Sequence, residues 1–206
     1  MRSFLVLSVF TLLLLGCTPQ GGDKELRYSD NYFPSEWKQP YATLRLANLE
    51  IPIELKLEAK GTERELQLIN EGVVMEKETY RVTTEGIWLV RLRDGETGET
   101  FAPELPLLRF PMRVGEDLSW EGKLVIGTRE IPSRAKIHTS AETITFETGV
   151  TEAVHVEVAL ELDDGSPRPA QRRLAFWFVK GEGPLKREYG TSGQEVREPR
   201  RIEKSG

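Results

Sequence analysis

The sequence predicts an all-β domain built on an antiparallel sheet, and three observations carry that prediction. The first is alternation of period two. Leu49, Ile51, Ile53, Leu55 and Leu57 interleave with Glu50, Pro52, Glu54, Lys56 and Glu58; Val154, Val156, Val158, Leu160 and Leu162 interleave with His155, Glu157, Ala159 and Glu161. That spacing sets one row of side chains on a buried face and the other in water, as in a sheet with one solvated side. The second is punctuation. Asn70-Glu71-Gly72, Asp94-Gly95-Glu96-Thr97-Gly98 and Asp163-Asp164-Gly165-Ser166 fall between alternating runs, where hairpin turns belong. The third is the lack of a sustained apolar stripe at helical spacing over any window of about 11 residues or more.

Taken in order, Met1 to Gly16 reads as an export signal. Arg2 supplies a positive start, Phe4 to Leu15 an apolar run, and Gly16 a small residue before the cut. The run is shorter than the roughly 20 apolar residues that a membrane-crossing helix requires. An ordinary secretory signal would leave Cys17, the only cysteine, as an odd free thiol. The tetrapeptide Leu14-Leu15-Gly16-Cys17 resembles the lipobox of bacterial lipoproteins, whose cysteine is diacylated and becomes the mature N-terminus. The resemblance implies that Cys17 is the lipidation site, carrying chains of the palmitate kind, and that the membrane is a partner met through lipid. Each buried methylene contributes about 0.8 kcal/mol, and two chains give stable anchoring without a hydrophobic span. Thr18 stands where this class carries its inner-membrane retention aspartate, which implies a cell-envelope location and favours the outer membrane in a cell with two.

Removing Met1 to Gly16 leaves 27 basic and 33 acidic residues, a net charge of −6. That balance argues against nucleic acid and anionic headgroups as partners. About 190 mature residues suit one domain and are enough to bury a core. With Cys17 given to lipid, no disulfide forms and packing alone supplies stability. The expected organisation is residues 1–16 as signal, 17–30 as flexible tether, 31–198 as a single β domain, and 199–206 as a disordered tail. Thr18 to Asp30 is almost devoid of apolar residues and holds two adjacent glycines, hence the tether. The folded part is expected to begin near Tyr32-Phe33-Pro34, with Trp37 and Tyr41 close behind.

Glu63 to Asn70 reads as a strand, because Leu66 and Leu68 alternate and Gly61 and Gly72 bracket it. Leu118, Trp120, Leu124 and Ile126 keep one parity across Gly122. Ile87-Trp88-Leu89-Val90 and Leu174-Ala175-Phe176-Trp177-Phe178-Val179 are apolar on both parities, so those strands are covered on both faces or line a sheltered cavity. Phe101 to Pro111, with Pro103 and Pro106, reads as an apolar crossing between two halves.

Catalytic signals are sparse. His155 lies on the polar parity of its strand and reads as a solvated surface residue. His138 sits near a strand end with no second ligand at metal-binding spacing, so no metal site and no cofactor are expected. No Gly-x-Ser-x-Gly occurs, and the lone cysteine is committed to lipid. Asp163-Asp164 falls in a turn, where aspartate caps backbone donors. Glu76 and Glu78 share one strand face and are read as pointing to solvent. Gly181-Glu182-Gly183 precedes strand-like residues rather than a helix, which makes it a hairpin and not a phosphate loop. Trp88, Trp120 and Trp177 lie on predicted strands. They are either large core anchors, the weightier reading, or the wall of a concave face that holds an acyl chain or another apolar ligand.

The chain also resembles a group of bacterial lipoproteins with no assigned activity. The landmarks are Tyr32-Phe33-Pro34 with Trp37; Pro111, Val114 and Gly115 leading to Trp120; Thr148-Gly149 with Ala153, Val154 and Val156; and Trp177-Phe178 with Gly181, Gly183, Leu185 and Lys186. The glycine usual before the first tryptophan is missing, and Val114-Gly115 stands further from Trp120 than the group's pattern has it. The resemblance implies a strongly curved antiparallel sheet, a half-barrel or open barrel like that of lipoprotein carriers. The functional expectation is a non-enzymatic envelope lipoprotein that binds an apolar ligand or an envelope protein. The alternative is a structural or assembly-associated surface lipoprotein without a pocket; a carboxylate-based hydrolase is a more distant one.

Overall fold

Alternating sequence becomes paired strand along nearly the whole chain. The computed structural model describes residues 24–37, 41–46, 49–94, 100–146, 149–192 and 200–204. The export signal and Cys17 lie outside the described residues, as does most of the Asp94–Gly98 turn. From the N-terminus, β1 (Glu25–Leu26) and one 3-10 turn (Tyr28–Asp30) precede β2 (Tyr41–Leu46), β3 (Leu49–Lys60), β4 (Glu63–Asn70), β5 (Val73–Thr83) and β6 (Gly86–Asp94). Three short strands follow, β7 (Thr100–Ala102), β8 (Leu105–Arg109) and β9 (Met112–Arg113). The second half holds β10 (Asp117–Ile126), β11 (Arg129–Phe146), β12 (Gly149–Leu162), β13 (Ala170–Val179), β14 (Gly183–Ser192) and β15 (Arg200–Lys204). There is no α-helix among the described residues.

The fold is all-β, a strongly curled antiparallel sheet that makes a half-barrel. Its strand order is β5-β4-β3-β2-β15-β14-β13-β12-β11-β10-β7-β6-β8, and β5 also pairs with β6. The ladder therefore returns on itself through β7, which contributes only two residue pairs to each neighbour. Right-handed twist starts the curl. Register shifts at Leu68/Ile69, Thr79/Tyr80, Ile87/Trp88 and Trp177/Phe178 tighten it, because a bulge bends its strand.

The predicted alternation sorts the two faces. Ile53, Leu55, Leu66, Leu68, Ile137, Val154, Val156, Val158 and Leu160 all turn inward and are buried, while Glu54, Lys136, Glu157 and Ala159 are exposed. Of the two strands apolar on both parities, β13 is covered on both faces, whereas in β6 Ile87 and Leu89 are buried and Trp88 and Val90 stay partly exposed on the other face. In β13, Phe176 and Phe178 join the interior, while Trp177 and Val179 form a small outer cluster with Ile144, Ala153 and Leu185.

Two boundaries differ from expectation. Lys24 to Asp30 belongs to the folded body: β1 pairs with β9, and the Leu26 side chain is fully buried. One well-placed leucine decides the matter where average composition pointed to a tether. At the other end, Arg200–Lys204 is a strand seated between β14 and β2, so part of the expected tail joins the two halves of the sheet. Its charges hid its single apolar residue, Ile202, which shares a register line with Arg187 and Leu44.

The turns gather at two ends. One end carries the Gly61-Thr62, Thr84-Glu85 and Lys180–Glu182 turns, the start of β12, and the docked N-terminal segment; Asn31 accepts a backbone hydrogen bond from Gly181, and Lys180 pairs with Asp30. The other end carries Glu71-Gly72, Gly127-Thr128 and the Asp163–Pro169 loop.

Gly86 opens β6 where β8 crosses it, and a Cβ there would collide with the Leu108 carbonyl oxygen and crowd the Arg109 backbone. Gly86→Ala must push β8 away. It is expected to lower stability by about 1–3 kcal/mol, as overpacking does, seen as an earlier urea midpoint. An unchanged midpoint would show that β8 yields freely.

Candidate functional site

Two polar assemblies sit back to back on the same strands, one inside the curl and one outside. The inner one arises from a break in two apolar register lines. Across the sheet, Thr139, Val156, Phe176, Arg187, Ile202, Leu44 and Ile51 stand in one line. On the opposing wall, Leu57, Leu66, Glu78, Leu92 and Phe101 form another. Each line holds one charge, and the charges meet across the interior. Arg187 Nε lies 3.2 Å from Glu78 Oε1, with the two side chains 1% and 0% exposed.

Hydroxyls complete the assembly. Tyr80 donates to Glu78 Oε2 at 2.8 Å and Tyr189 to Oε1 at 2.7 Å, while Arg187 Nη1 donates to the Pro184 carbonyl at 3.3 Å. Phe33, from the N-terminal segment, packs on Tyr80 with ring centroids 4.8 Å apart, and Phe176 meets Tyr189 edge-on at 5.9 Å. Burial, followed by the Glu78 carboxylate, pushes both tyrosine hydroxyls well above their ordinary pKa. Burial is the largest single influence on Arg187 and opposes its charge, but Glu78, Tyr80, Tyr189 and Glu76 together outweigh it and the net direction is upward, so the guanidinium stays protonated. The hydroxyl of Tyr32, near the same N-terminal segment, is raised to about 12, again chiefly by burial.

This corrects the reading of Glu76 and Glu78 as solvent-facing, since both are buried. A signal was present in the sequence. The two glutamates share parity with Val74, Tyr80 and Val82, whereas Lys77 and Arg81 occupy the other row. Arg187 and Tyr189 were missed for the same reason: a charge on the buried parity of β14 looks like the end of the pattern.

Outside, the Trp177 ring lies between two partners. His155 stacks on it at 4.4 Å with planes 13° apart, and Lys186 Nζ sits 4.1 Å from its centroid. Glu142 ties the group together, accepting from Trp177 Nε1 at 2.6 Å and meeting His155 Nδ1 at 2.8 Å. His155 is on the outer face, as its parity implied, but it is packed against the ring and largely shielded instead of freely solvated.

The other two tryptophans stand elsewhere. Trp88 faces outward, opposite Arg81 in the ladder, with the guanidinium 5.3 Å from its ring. Trp120 is partly buried against the core and lies over Gly122. The three do not converge on a common wall. A shallow groove crosses β10 to β13, running over Ser119 and Ala159 between Arg134, Lys136, Glu161 and Arg173. Trp120 lines it as well, so its wall mixes charged and apolar side chains, and neither Trp88 nor Trp177 reaches it.

The remaining candidates are resolved locally. His138 pairs with Asp117 across the β10–β11 ladder at 2.6 Å, a carboxylate neighbour that sequence spacing did not reveal. Among the described residues, no group of three or more His, Cys, Asp or Glu side chains is placed to hold a metal ion. Asp163 and Asp164 accept from the backbones of Gly165 and Ser166, as turn caps do. Gly181 and Gly183 both take positive φ in a hairpin turn.

No protein-family model and no curated protein matches the chain. Two solved structures are similar to it. One is the hypothetical lipoprotein YmcC from Escherichia coli (K12), at 12% identity and a TM-score of 0.45, covering 82% of this chain and 84% of that one. The other is a hypothetical lipoprotein from Parabacteroides distasonis ATCC 8503, at 9% identity and a TM-score of 0.38, covering 83% and 94%. Likenesses of that depth leave function to be argued from this chain's own residues.

The inner assembly makes two predictions. Glu78→Leu or Arg187→Met alone strands a buried charge and is expected to cost about 3–5 kcal/mol, whereas the double variant recovers most of that loss. Two single losses that simply add would show that the pair is not coupled. The second concerns alkali. Because Tyr80 and Tyr189 hold their protons more tightly folded than unfolded, their contribution is complete below about pH 10 and declines as pH rises beyond it. Urea midpoints measured on either side of that value should fall on the alkaline side; a flat profile would contradict the burial of both hydroxyls.

Proposed function

We propose that the chain is an exported lipoprotein, held on the envelope membrane by lipid on Cys17, whose body is a solid, non-enzymatic scaffold that meets protein partners by its outer surface. The anchoring half rests on Leu14-Leu15-Gly16-Cys17 behind a short apolar run. Thr18 in place of a retention aspartate favours the outer membrane where a cell has two.

The scaffold half rests on one observation: the interior of the curl is occupied by the protein's own side chains. Phe33, Tyr80, Phe176 and Phe178 fill it, and the Glu78–Arg187 pair crosses its middle. An acyl chain entering there would have to displace close-packed rings and leave a charge pair facing hydrocarbon, which is costly. This favours a protein partner, or a purely structural role, over an apolar ligand. Among the described residues the exposed carboxylates are dispersed and pair no acid and base in a cleft, so the hydrolase alternative gains no support.

Two measurements test the proposal. Cys17→Ser should move the protein from the membrane to the soluble envelope fraction; retention in the membrane would end the anchoring reading. Native mass spectrometry of the full-length detergent-solubilised protein should give one mass, the chain with its covalent lipid. A further lipid bound in stoichiometric amount would overturn the filled interior.

A further inference from the structure

We infer that the end of the molecule bearing Lys24, Tyr28 and Val150 lies against the bilayer, so that the strands rise from the membrane and the Gly127-Thr128 turn faces the aqueous compartment. The inference rests on lipid at Cys17 and adds to it an orientation.

The argument begins with where the chain becomes fixed. The Lys24 carbonyl accepts from Val114 N at 3.0 Å, and its ammonium pairs with Glu152 at 3.3 Å. Two residues on, Leu26 is fully buried. Cys17 and Lys24 are seven Cα steps apart, and seven steps span at most about 25 Å even when fully extended. The 18 residues of β11 would cover about 60 Å at the usual rise per residue. A lipid on Cys17 therefore holds the Lys24 end close to the headgroups, and the opposite end lies beyond the tether's length.

Lying flat within that reach would press the outer face on the bilayer. That face carries solvated pairs such as Arg134–Glu161, whose hydration the scattered exposed side chains Tyr41, Val73 and Met75 would not replace. Standing on end requires no such exchange. Val150, at the start of β12, is 67% exposed, and Tyr28 is 49% exposed. Isolated apolar side chains mean little elsewhere on a surface; here they sit at the root of the tether, at headgroup depth, where a tyrosine presents an apolar body and a polar tip. Three cations of this end are already paired within the protein: Lys24 with Glu152, Arg27 with Glu25, and Lys180 with Asp30. Attraction to anionic lipid is therefore weak, and added salt should not release the contact.

The test uses lipidated full-length protein in phosphatidylethanolamine–phosphatidylglycerol vesicles that contain a headgroup nitroxide lipid. Val150→Cys and Thr128→Cys are labelled separately with a thiol-reactive fluorophore, acylated Cys17 being unreactive. The label at position 150 should lose most of its emission at low and high salt alike, and the label at 128 should keep it. Quenching at 128 equal to or greater than that at 150, in protein that floats with the vesicles, would overturn the orientation and leave the anchor intact. Protein that does not float would overturn both.

Discussion

The constraint on which the rest of the structure depends is the ion pair between Glu78 and Arg187. The strands that carry it are separated by β4, β3, β2 and β15 in the sheet, so the pair forms only when the sheet is curled far enough to bring the walls together. Removing two charges from water costs several kcal/mol for each ion, and Coulomb attraction offsets this only when the remaining polar atoms are also served. Tyr80 and Tyr189 do that for both carboxylate oxygens and the Pro184 carbonyl does it for Arg187 Nη1, while Nη2 is buried without a hydrogen-bond partner. The pair also opposes slippage. Moving β5 by one residue would carry Glu78 to the outer face and bring Lys77 or Thr79 inward, leaving Arg187 alone in an apolar row.

Closure of one end depends on the same centre. Phe33 reaches Tyr80, and Tyr32 stacks with Phe110 at 6.4 Å. Gly183 lets this segment approach closely, since a Cβ there would crowd Trp37 and Pro34. The N-terminal segment is thus a built part of the interior, not a leader outside it. Leu26 and Phe33 link this segment to the rings around the ion pair.

Fold class was legible because the signal is collective. Five matched positions in each of β3 and β12 outvote any single exception, and the turn residues mark where each run stops. What was not legible rests on single residues that disobey their neighbourhood. Leu26 docks a polar stretch, Ile202 occupies the register line of a charged strand, and Glu78 and Arg187 are charges on buried parity. Each is an error of one kind. Local composition is read as exposure, but exposure is decided by a wall some hundred residues away in the chain, and one sequence carries no direct measure of that distance. The tryptophans show the limit differently. Trp177 was correctly placed on a strand covered twice, yet the identity of its outer cover, His155, Glu142 and Lys186, comes from register between three strands.

That outer cover bears on how stiff the body is. β13 and β14 each alternate between the two assemblies: Phe176 and Phe178 face in while Trp177 faces out, and Arg187 and Tyr189 face in while Lys186 and Glu188 face out. A single layer of backbone separates the buried ion pair from the cation and imidazole on either side of the Trp177 ring. The register shift at Trp177/Phe178 lies between the two groups. A ladder bent at one point and gripped by polar contacts on both faces cannot slide to open the curl without breaking both sets of contacts at once. Such stiffness would hinder a carrier that must admit and release an acyl chain. For the scaffold proposed above, whose outer surface would have to keep one shape, it is the fitting property.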